Sequence, residues 1–486
     1  MLLCRRRVFR GLLVVWLAVA SASEEEKTCS EGGLVVEVLE NGASSGTGEV
    51  VALDAAHCEC RAAFEAQISL KACGDVVSCE ARDAAGRVVT SCEQLKHLEE
   101  GVQPVASRYP LVYGAPRSKR FVFASEDVGF ARWVPQAGVT LRTLALSPRL
   151  FAVENFLTPE IADAVVADAL AIDDEEHKLM RSSTGPSGYN PSNVRTSENA
   201  WLKYSPAAMD LKRKAFSLLG FSGYDEDLSD GLQVLRYNES KAYIAHTDYL
   251  SQPAGVSKAA MDPAQGGANR LATLFLYLSD VDAGGQTVFP YATRPDNVKD
   301  HAVLGEYLEA SNLEEVDVDL RRAVAAENSW EDRMIADCFD KLAVKPKKAR
   351  AILYYSQHPS GHLDVNSQHG GCPVLNGTKW AANLWVWNKK MPFGSSRFGG
   401  DQQGAAAKAA KTDPNAVPIT IEYHGARDDV ALFWDGKTKI GDEFRPHGAM
   451  NINSYVGHTF VAKNQHGRIF NSFTVEHGKA TYVIDG

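Results

Sequence analysis

Three residues near the middle of the chain have the types and spacing to hold a metal ion. In His246-Thr247-Asp248 an imidazole and a carboxylate stand two apart, so on an extended segment both project to the same side. A second imidazole, His369, lies in His369-Gly370-Gly371-Cys372-Pro373-Val374. Two His and one carboxylate on one face leave coordination positions open, a pattern suited to non-haem iron(II). Lys379 follows ten residues after His369, and an ammonium there would neutralise the far carboxylate of a dicarboxylate co-substrate. Taken singly these signals are weak. The chain holds 13 His, and His362-Leu363-Asp364 repeats the first motif. A surface pair is the ordinary outcome for an isolated His-x-Asp, as a solvated charge is for an isolated Lys. Only the ordered set lifts His246 above its twin.

Further blocks surround the set in order. They are Ser192-Asn193-Val194-Arg195-Thr196-Ser197, Leu232-Gln233-Val234-Leu235-Arg236-Tyr237 leading into Tyr243, Asn269-Arg270-Leu271-Ala272-Thr273, Gly284-Gly285-Gln286-Thr287-Val288-Phe289-Pro290 and Val344-Lys345-Pro346-Lys347-Lys348. From about Phe151 to Lys389 the chain resembles the prolyl 4-hydroxylase family. The resemblance implies that His246, Asp248 and His369 are the iron ligands and that Lys379 salt-bridges 2-oxoglutarate. It makes Tyr237 and Thr287 hydrogen-bonding partners of 2-oxoglutarate, and Tyr243, Arg270 and Trp385 walls of a peptide groove. Packing, or a solvated guanidinium, is the competing account of these last three. The 192–197 segment is similar to the family's mobile substrate loop, and Cys338 and Cys372 stand where secreted plant and algal members carry cysteines. The implied reaction consumes O2 and 2-oxoglutarate at Fe(II), with L-ascorbate in support, and hydroxylates C4 of a peptidyl proline. Succinate and carbon dioxide are released. The chain departs from the family at Gln286, where Glu is usual, and at Trp387, which replaces a His. A long insertion follows Pro290, and the helical peptide-binding domain of animal collagen hydroxylases is not visible. Collagen specificity therefore does not follow.

The elements that must position this set read as mainly β. Leu232-Gln233-Val234-Leu235, Leu274-Phe275-Leu276-Tyr277-Leu278, Ala351-Ile352-Leu353-Tyr354-Tyr355 and Leu384-Trp385-Val386-Trp387 are strand-like runs between turn residues. They suggest a jelly roll, or double-stranded β-helix, with flanking helices. Thr158 can cap a helix opening at Pro159, with Ile161, Val165, Val166, Ala169 and Leu170 toward one side. An acidic helical segment at 295–343, with Glu314-Glu315, Asp317 and Leu320-Arg321-Arg322, looks like an insertion between two strands. The catalytic domain is thus expected at 146–395.

Ahead of it, residues 23–145 alternate short β-branched runs with turns, as a cysteine-rich β domain would. Arg5, Arg6, Arg7 and Arg10 precede an apolar run at 11–20 and the small residues Ala20-Ser21-Ala22, so 1–22 reads as a cleaved signal peptide. That run falls short of the roughly 20 apolar residues a spanning helix needs. Without Cys4, eight cysteines remain, six at 29–92 and two at Cys338 and Cys372. Even counts in each group, without CxxC pairs, predict disulfides inside each group. The sequons Asn238-Glu239-Ser240 and Asn376-Gly377-Thr378 are compatible with the secretory pathway. The endoplasmic reticulum lumen is the expected compartment, with Golgi or secretion as alternatives, although no KDEL-like tail follows Tyr482. A net charge of −10 on 486 residues argues against a general nucleic-acid binder. The length suggests roughly two to four domains.

Residues 396–418, rich in Gly, Ala, Gln and Lys over 399–411, read as a flexible linker. Residues 419–486 then read as a β-sandwich. Phe433-Trp434-Asp435-Gly436, Arg445-Pro446 and Ile452-Asn453-Ser454-Tyr455-Val456-Gly457-His458 resemble the β-domain of the von Hippel–Lindau protein. That resemblance implies hydroxyproline binding by Ser454 and His458, though Gly441 stands where the pocket Tyr would be. A plain β-sandwich is the competing account. For the whole chain the expected partner is a proline-rich peptide or protein. The alternatives are a lysyl or small-molecule hydroxylase on the same core, and a non-catalytic secreted binding protein.

Overall fold

The protein is represented by a computed structural model. It describes all residues except 1–32, 60, 75–78, 99, 105–106, 174–176, 183–193, 252–255, 296–297, 299–301, 393–415, 426, 428, 435–437, 445–447, 456, 465, 477–478, 480 and 486. The expected signal peptide, Cys29, Cys60, the start of the substrate loop and nearly all of the linker therefore lie outside the described residues. Among those described, no helix is long and apolar enough to cross a membrane.

The chain is mainly β. Its centre is a nine-stranded sheet in the order Ala131–Val134, Val139–Ala145, Leu150–Glu154, Arg350–Tyr355, Arg270–Tyr277, Lys379–Trp387, Ser229–Tyr237, Glu198–Leu202, Met180–Arg181. All its pairings are antiparallel. Period-two alternation divides its side chains between two cores. Leu235, Tyr237, Phe275, Tyr277, Ile352 and Tyr354 pack with Phe289, Leu342 and Val344 of a smaller sheet. Val234, Leu274, Leu276, Leu353 and Leu384 pack on the other face beneath the helices Pro159–Leu170 and Pro206–Leu218. Both faces being covered explains why these strands read as nearly continuous apolar runs.

The first of those helices starts as expected, with Thr158 Oγ1 accepting from the Ile161 amide and Pro159 in the first turn. Its buried stripe is rotated from the expected one. Ala162, Val165 and Ala169 face the core, while Leu170 is 56% exposed. The spacings of three and four residues select one face, and Leu170 falls a further 100° or so around the helix.

The smaller sheet runs Tyr243–His246, His369–Gly371, Thr287–Phe289, Leu342–Val344. Its last two strands pair directly, Thr287 with Val344 and Phe289 with Leu342. The expected insertion is therefore a long excursion within a hairpin. It folds into the short helices Leu304–Tyr307, Val318–Val324 and Trp330–Asp340. Met334, Ile335, Cys338 and Phe339 pack on Val288, Ala343, Cys372 and Leu375, and a Cys338–Cys372 disulfide closes this contact.

Two expectations need correction at the N-terminal side. The unit before the catalytic sheet is not purely β. Its four strands, in the order Glu49–Leu53, Leu34–Glu40, Leu111–Pro116, Cys79–Arg82, pack with the helix Arg61–Cys73 through Phe64 and Ile68. Two of those strands, Leu34–Glu40 and Leu111–Pro116, run parallel, and a parallel pair needs a long crossover to join it. The boundary at 145 also fails, because Ala131–Val134 and Val139–Ala145 already belong to the nine-stranded sheet. The two units share one core through Tyr113, Phe121, Phe123, Leu141 and Phe151. Lys119 Nζ further donates to the Pro263 and Ser360 carbonyls at 2.6 and 2.8 Å. Disulfides Cys58–Cys92 and Cys73–Cys79 staple the first unit from within.

The C-terminal residues form a three-stranded and a four-stranded sheet. Ile419, Ile421, Leu432, Phe444, Phe460 and Tyr482 share their core. The first strand, Ala416–Tyr423, begins three residues before the expected boundary.

Removing the Cys338–Cys372 cross-link, in Cys338→Ser, should cost about 2–4 kcal/mol of stability. Denaturant melts of the variant against the oxidised parent check the cost, and non-reducing peptide mapping checks the pairing.

Candidate metal centre

His246 and His369 end up as direct neighbours because their strands pair antiparallel, with Tyr243 opposite Gly371 and His246 opposite His369. Asp248 lies just past the end of the first strand. One ligand atom from each of His246, Asp248 and His369 lies within 4.8 Å of the others, and this is the only such cluster among the described residues. Each imidazole is oriented in the same way. Nδ1 of His246 is 2.9 Å from the Ile244 carbonyl, and Nδ1 of His369 is 2.9 Å from the Ser367 carbonyl. A carbonyl only accepts, so Nδ1 carries the proton in both rings and Nε2 keeps its lone pair for a metal.

Asp248, 3% exposed, is held by two hydroxyls. Thr273 Oγ1 donates to its Oδ2 at 2.6 Å and the Tyr354 hydroxyl does so at 2.9 Å. The Tyr354 oxygen is also 2.9 Å from His369 Nε2. One phenolic proton cannot serve both, and the carboxylate, being charged, is the stronger acceptor. Burial, together with the neighbouring His369, pushes His246 down to about 3, so its ring is neutral at physiological pH. Burial alone would raise Asp248, but the two imidazoles and Arg270 outweigh it and hold the carboxyl well below its usual range. Two imidazoles and one carboxylate fit a divalent first-row cation.

Beside the cluster lies a cationic pocket. Lys379 is the cross-strand partner of Tyr237. Its ammonium lies 5.1 Å from the Phe275 ring centre, 5.4 Å from Tyr277 and 5.5 Å from Tyr237. Lys379 is 1% exposed, and no carboxylate pairs with it among the described residues. Burial pushes it down to about 7. Thr287 reaches this group from the small sheet, its Oγ1 accepting from the Tyr277 hydroxyl at 2.7 Å. Aromatic faces only partly compensate a buried ammonium, so this pocket fits an anionic ligand.

Of the three expected groove residues, Tyr243 and Arg270 border the cluster and Trp385 packs on Arg270. The Tyr243 ring stacks on His246 with centroids 3.8 Å apart, and the Arg195 guanidinium lies 4.8 Å from the same ring. Arg270 is no solvated cation. It is 8% exposed, lies 3.9 Å from the Trp385 ring centre, and places Nε and Nη2 each 2.6 Å from Asp230 Oδ2. The other Asp230 oxygen accepts from the Trp387 indole at 2.9 Å, which gives the family-divergent Trp387 a defined partner. Trp385 is also buried, and its own indole N–H has no hydrogen-bond partner among the described residues.

The second His-x-Asp motif does not assemble. His362 is exposed, and Asp364 accepts from the Asn366 amide as the cap of a single 3-10 turn. In the C-terminal sandwich, Ser454 and His458 do meet, with Ser454 Oγ 3.1 Å from His458 Nδ1. Sequence reasoning missed Thr273, Tyr354, Tyr277, Phe275 and Asp230. Thr273 and Tyr277 stand in step with Phe275 on one face of an apolar strand, a signal for a polar duty on the inner side. Nothing local marks Asp230 as the partner of Arg270.

Residues 232–387 match the 2OG-Fe(II) oxygenase superfamily. Probable prolyl 4-hydroxylase 8 of Arabidopsis thaliana is 30% identical over 262 residues, which cover 54% of this chain and 73% of the relative. Probable prolyl 4-hydroxylase 4 of the same plant is 31% identical over 252 residues, covering 51% and 70%. Among solved structures, a viral collagen prolyl hydroxylase from Paramecium Bursaria Chlorella virus-1, in a 2OG complex, is 19% identical. It covers 49% of this chain and 96% of that chain with a TM-score of 0.31. The sequence kinship over the two central sheets is enough to classify the chain: it belongs to the prolyl 4-hydroxylase family of Fe(II)- and 2-oxoglutarate-dependent dioxygenases.

Proposed function

We propose that this protein hydroxylates C4 of peptidyl proline in the secretory pathway. The observation that carries the reading is a buried ammonium, Lys379, without a carboxylate partner among the described residues, on the large sheet where it packs against the small sheet that carries the two His of the cluster. In this reading His246, Asp248 and His369 hold Fe(II). Lys379 pairs with the far carboxylate of 2-oxoglutarate, while Tyr237 and Thr287 hydrogen-bond the same group. Iron(II) supplies the activation of O2, by which 2-oxoglutarate becomes succinate and carbon dioxide and one oxygen atom is delivered to the proline C–H. The chain's own residues do the rest. The carbonyls of Ile244 and Ser367 fix both imidazole tautomers, and Thr273 and Tyr354 hold the Asp248 carboxylate in place. Phe275 and Tyr277 keep water from the Lys379 ammonium. Tyr243, Arg270 and Trp385 form the peptide side, with the Trp385 indole N–H left to meet a peptide carbonyl. L-Ascorbate, typical of the family, keeps the metal reduced.

The two central sheets are read as a jelly roll, between the stapled N-terminal unit and a C-terminal β domain. Internal disulfides and exposed Asn238 and Asn376 support a secretory location, with 1–22 as its signal. The two sequons meet at one corner, where Thr378 Oγ1 donates to Asn238 Oδ1 at 3.4 Å. The Ser454–His458 pair supports a hydroxyproline-reading role for the last domain, which would retain product and favour repeated turnover on one chain.

Three outcomes check these readings. Mass spectrometry of a proline-rich peptide incubated with enzyme, iron, ascorbate and 2-oxoglutarate should show oxygen added at proline; addition only at lysine in a control peptide overturns the substrate. His369→Ala should lose turnover at least about 100-fold, with unchanged circular dichroism and reduced iron content. Lys379 brings a pH dependence of defined sign. Its free-state value of about 7 lies below the ordinary lysine value, and a bound dianion raises it again. Co-substrate affinity is therefore greatest below pH 7 and falls as pH rises through it, with proton uptake on binding. Calorimetry in two buffers of different ionisation heat measures that uptake, and Lys379→Ala should abolish it.

For the last domain, calorimetry of the full chain with matched proline and 4-hydroxyproline peptides should favour the hydroxylated one, and Ser454→Ala should remove the preference. Equal binding to both peptides leaves the domain a structural β module.

A further inference from the structure

The geometry points to Glu309, supplied by the insertion, as a positioning residue for the co-substrate pocket: it latches Gln286 and thereby fixes the strand that carries Thr287. The inference rests on the assignment of Thr287 to that pocket.

Gln286 is 3% exposed, and its Nε2 donates to Glu309 Oε2 at 2.9 Å. A carboxylate only accepts, so the amide must present its NH2 group to Glu309. Glu309 is itself held. Its Oε1 accepts from the Ala310 and Ser311 amides, each at 3.1 Å. Its backbone N–H donates to the Ala343 carbonyl at 2.7 Å, in the strand that pairs with Thr287–Phe289. Gln286 also uses its main chain, its carbonyl accepting from the Cys372 amide at 2.9 Å. One residue thus ties the insertion, its own hairpin and the segment leaving His369–Gly371.

The next residue is Thr287, opposite Gly371 in the small sheet. Neighbours along a strand point to opposite faces. Gln286 therefore meets the insertion while Thr287 turns inward to Tyr277. A shift of the strand at 286 moves the Thr287 hydroxyl relative to Lys379. Chemistry also explains why an amide stands at 286. A Glu there would set two carboxylates at hydrogen-bond distance in a buried place, where like charges repel strongly. The departure at Gln286 and the long insertion are one feature, since the amide is the donor that the insertion's carboxylate requires.

The test uses the full chain and a charge swap. In Gln286→Glu with Glu309→Gln combined, residue 309 keeps an oxygen for the two amides and residue 286 accepts from the new NH2 group, so every bond is kept with the direction of one reversed. Gln286→Glu alone should weaken 2-oxoglutarate about 3- to 30-fold, the range of energetic coupling through such contacts. That loss should appear in KM, with kcat at saturation little changed, and in calorimetric affinity for the Mn(II)-loaded protein without turnover. Glu309→Gln alone should be milder, because the Gln286 amide can turn its carbonyl toward the new donor. The double variant should restore wild-type affinity. A lowered Tm in Gln286→Glu with unchanged 2-oxoglutarate affinity would reduce the pair to a structural contact and overturn the proposal. If Gln286→Glu does not fold, the double variant decides: wild-type binding supports the latch and impaired binding refutes it. Thr287→Val separates the two levels of the argument. Unchanged affinity there removes the pocket assignment, whereas weakened affinity there with none in Gln286→Glu removes the latch alone.

Discussion

The antiparallel pairing that sets His246 opposite His369 governs the rest of the site. Two imidazoles far apart in sequence share one point in space only because their strands run side by side in that register. A slip by one residue would turn one ring to the outer face of the small sheet. The register in turn needs the small sheet to be held at both ends. On one side Gly371 pairs with both Tyr243 and Thr287. On the other, the hairpin of Thr287–Phe289 and Leu342–Val344 closes the sheet. The core beneath, with Phe289, Tyr354 and Tyr277, presses this sheet onto the larger one.

Charge is distributed unevenly across the site, and the unevenness has a purpose. Asp248 is buried but has hydroxyl donors from Thr273 and Tyr354, and Arg270 lies 3.8 Å away. Asp230 is buried but holds Arg270 and the Trp387 indole. Lys379 has aromatic rings around it and no anion among the described residues. Buried charges are ordinarily paired because an unpaired one is costly. Lys379 is the exception among these buried charges, and its setting suits an anionic ligand.

The additions to the family core act as supports of that geometry. The insertion braces the outer face of the small sheet with Met334, Ile335 and Phe339 and the Cys338–Cys372 bond. The N-terminal unit shares the core on the far side of the larger sheet through Tyr113 and Phe123, and the Phe123 amide donates to the Tyr355 hydroxyl at 3.2 Å. Tyr355 neighbours Tyr354, whose hydroxyl reaches Asp248. The two faces of one strand therefore connect the docked unit with the metal cluster.

The sequence by itself determined the chemistry of this protein. The types and order of His246, Asp248, His369 and Lys379 are local facts, as are the Thr158-Pro159 helix start and the even cysteine groups. Each depends on the order of short motifs along the chain, or on composition, and is legible without knowing which segments meet in space. Partnership is different. Alternation along the strand is enough to put Thr273 on one face with Tyr277, but not to show that it meets Asp248. Arg270 read equally well as groove wall or solvated cation until Asp230 was seen beside it. The helix Arg61–Cys73, with Phe64 and Ile68 one turn apart, was overshadowed by its β-rich surroundings. The boundary near 145 failed because strand pairing, not composition, decides which sheet a strand joins. Which pairs meet is set by the register and packing of strands far apart in the chain, and no local pattern encodes that. Only the tertiary structure decided it.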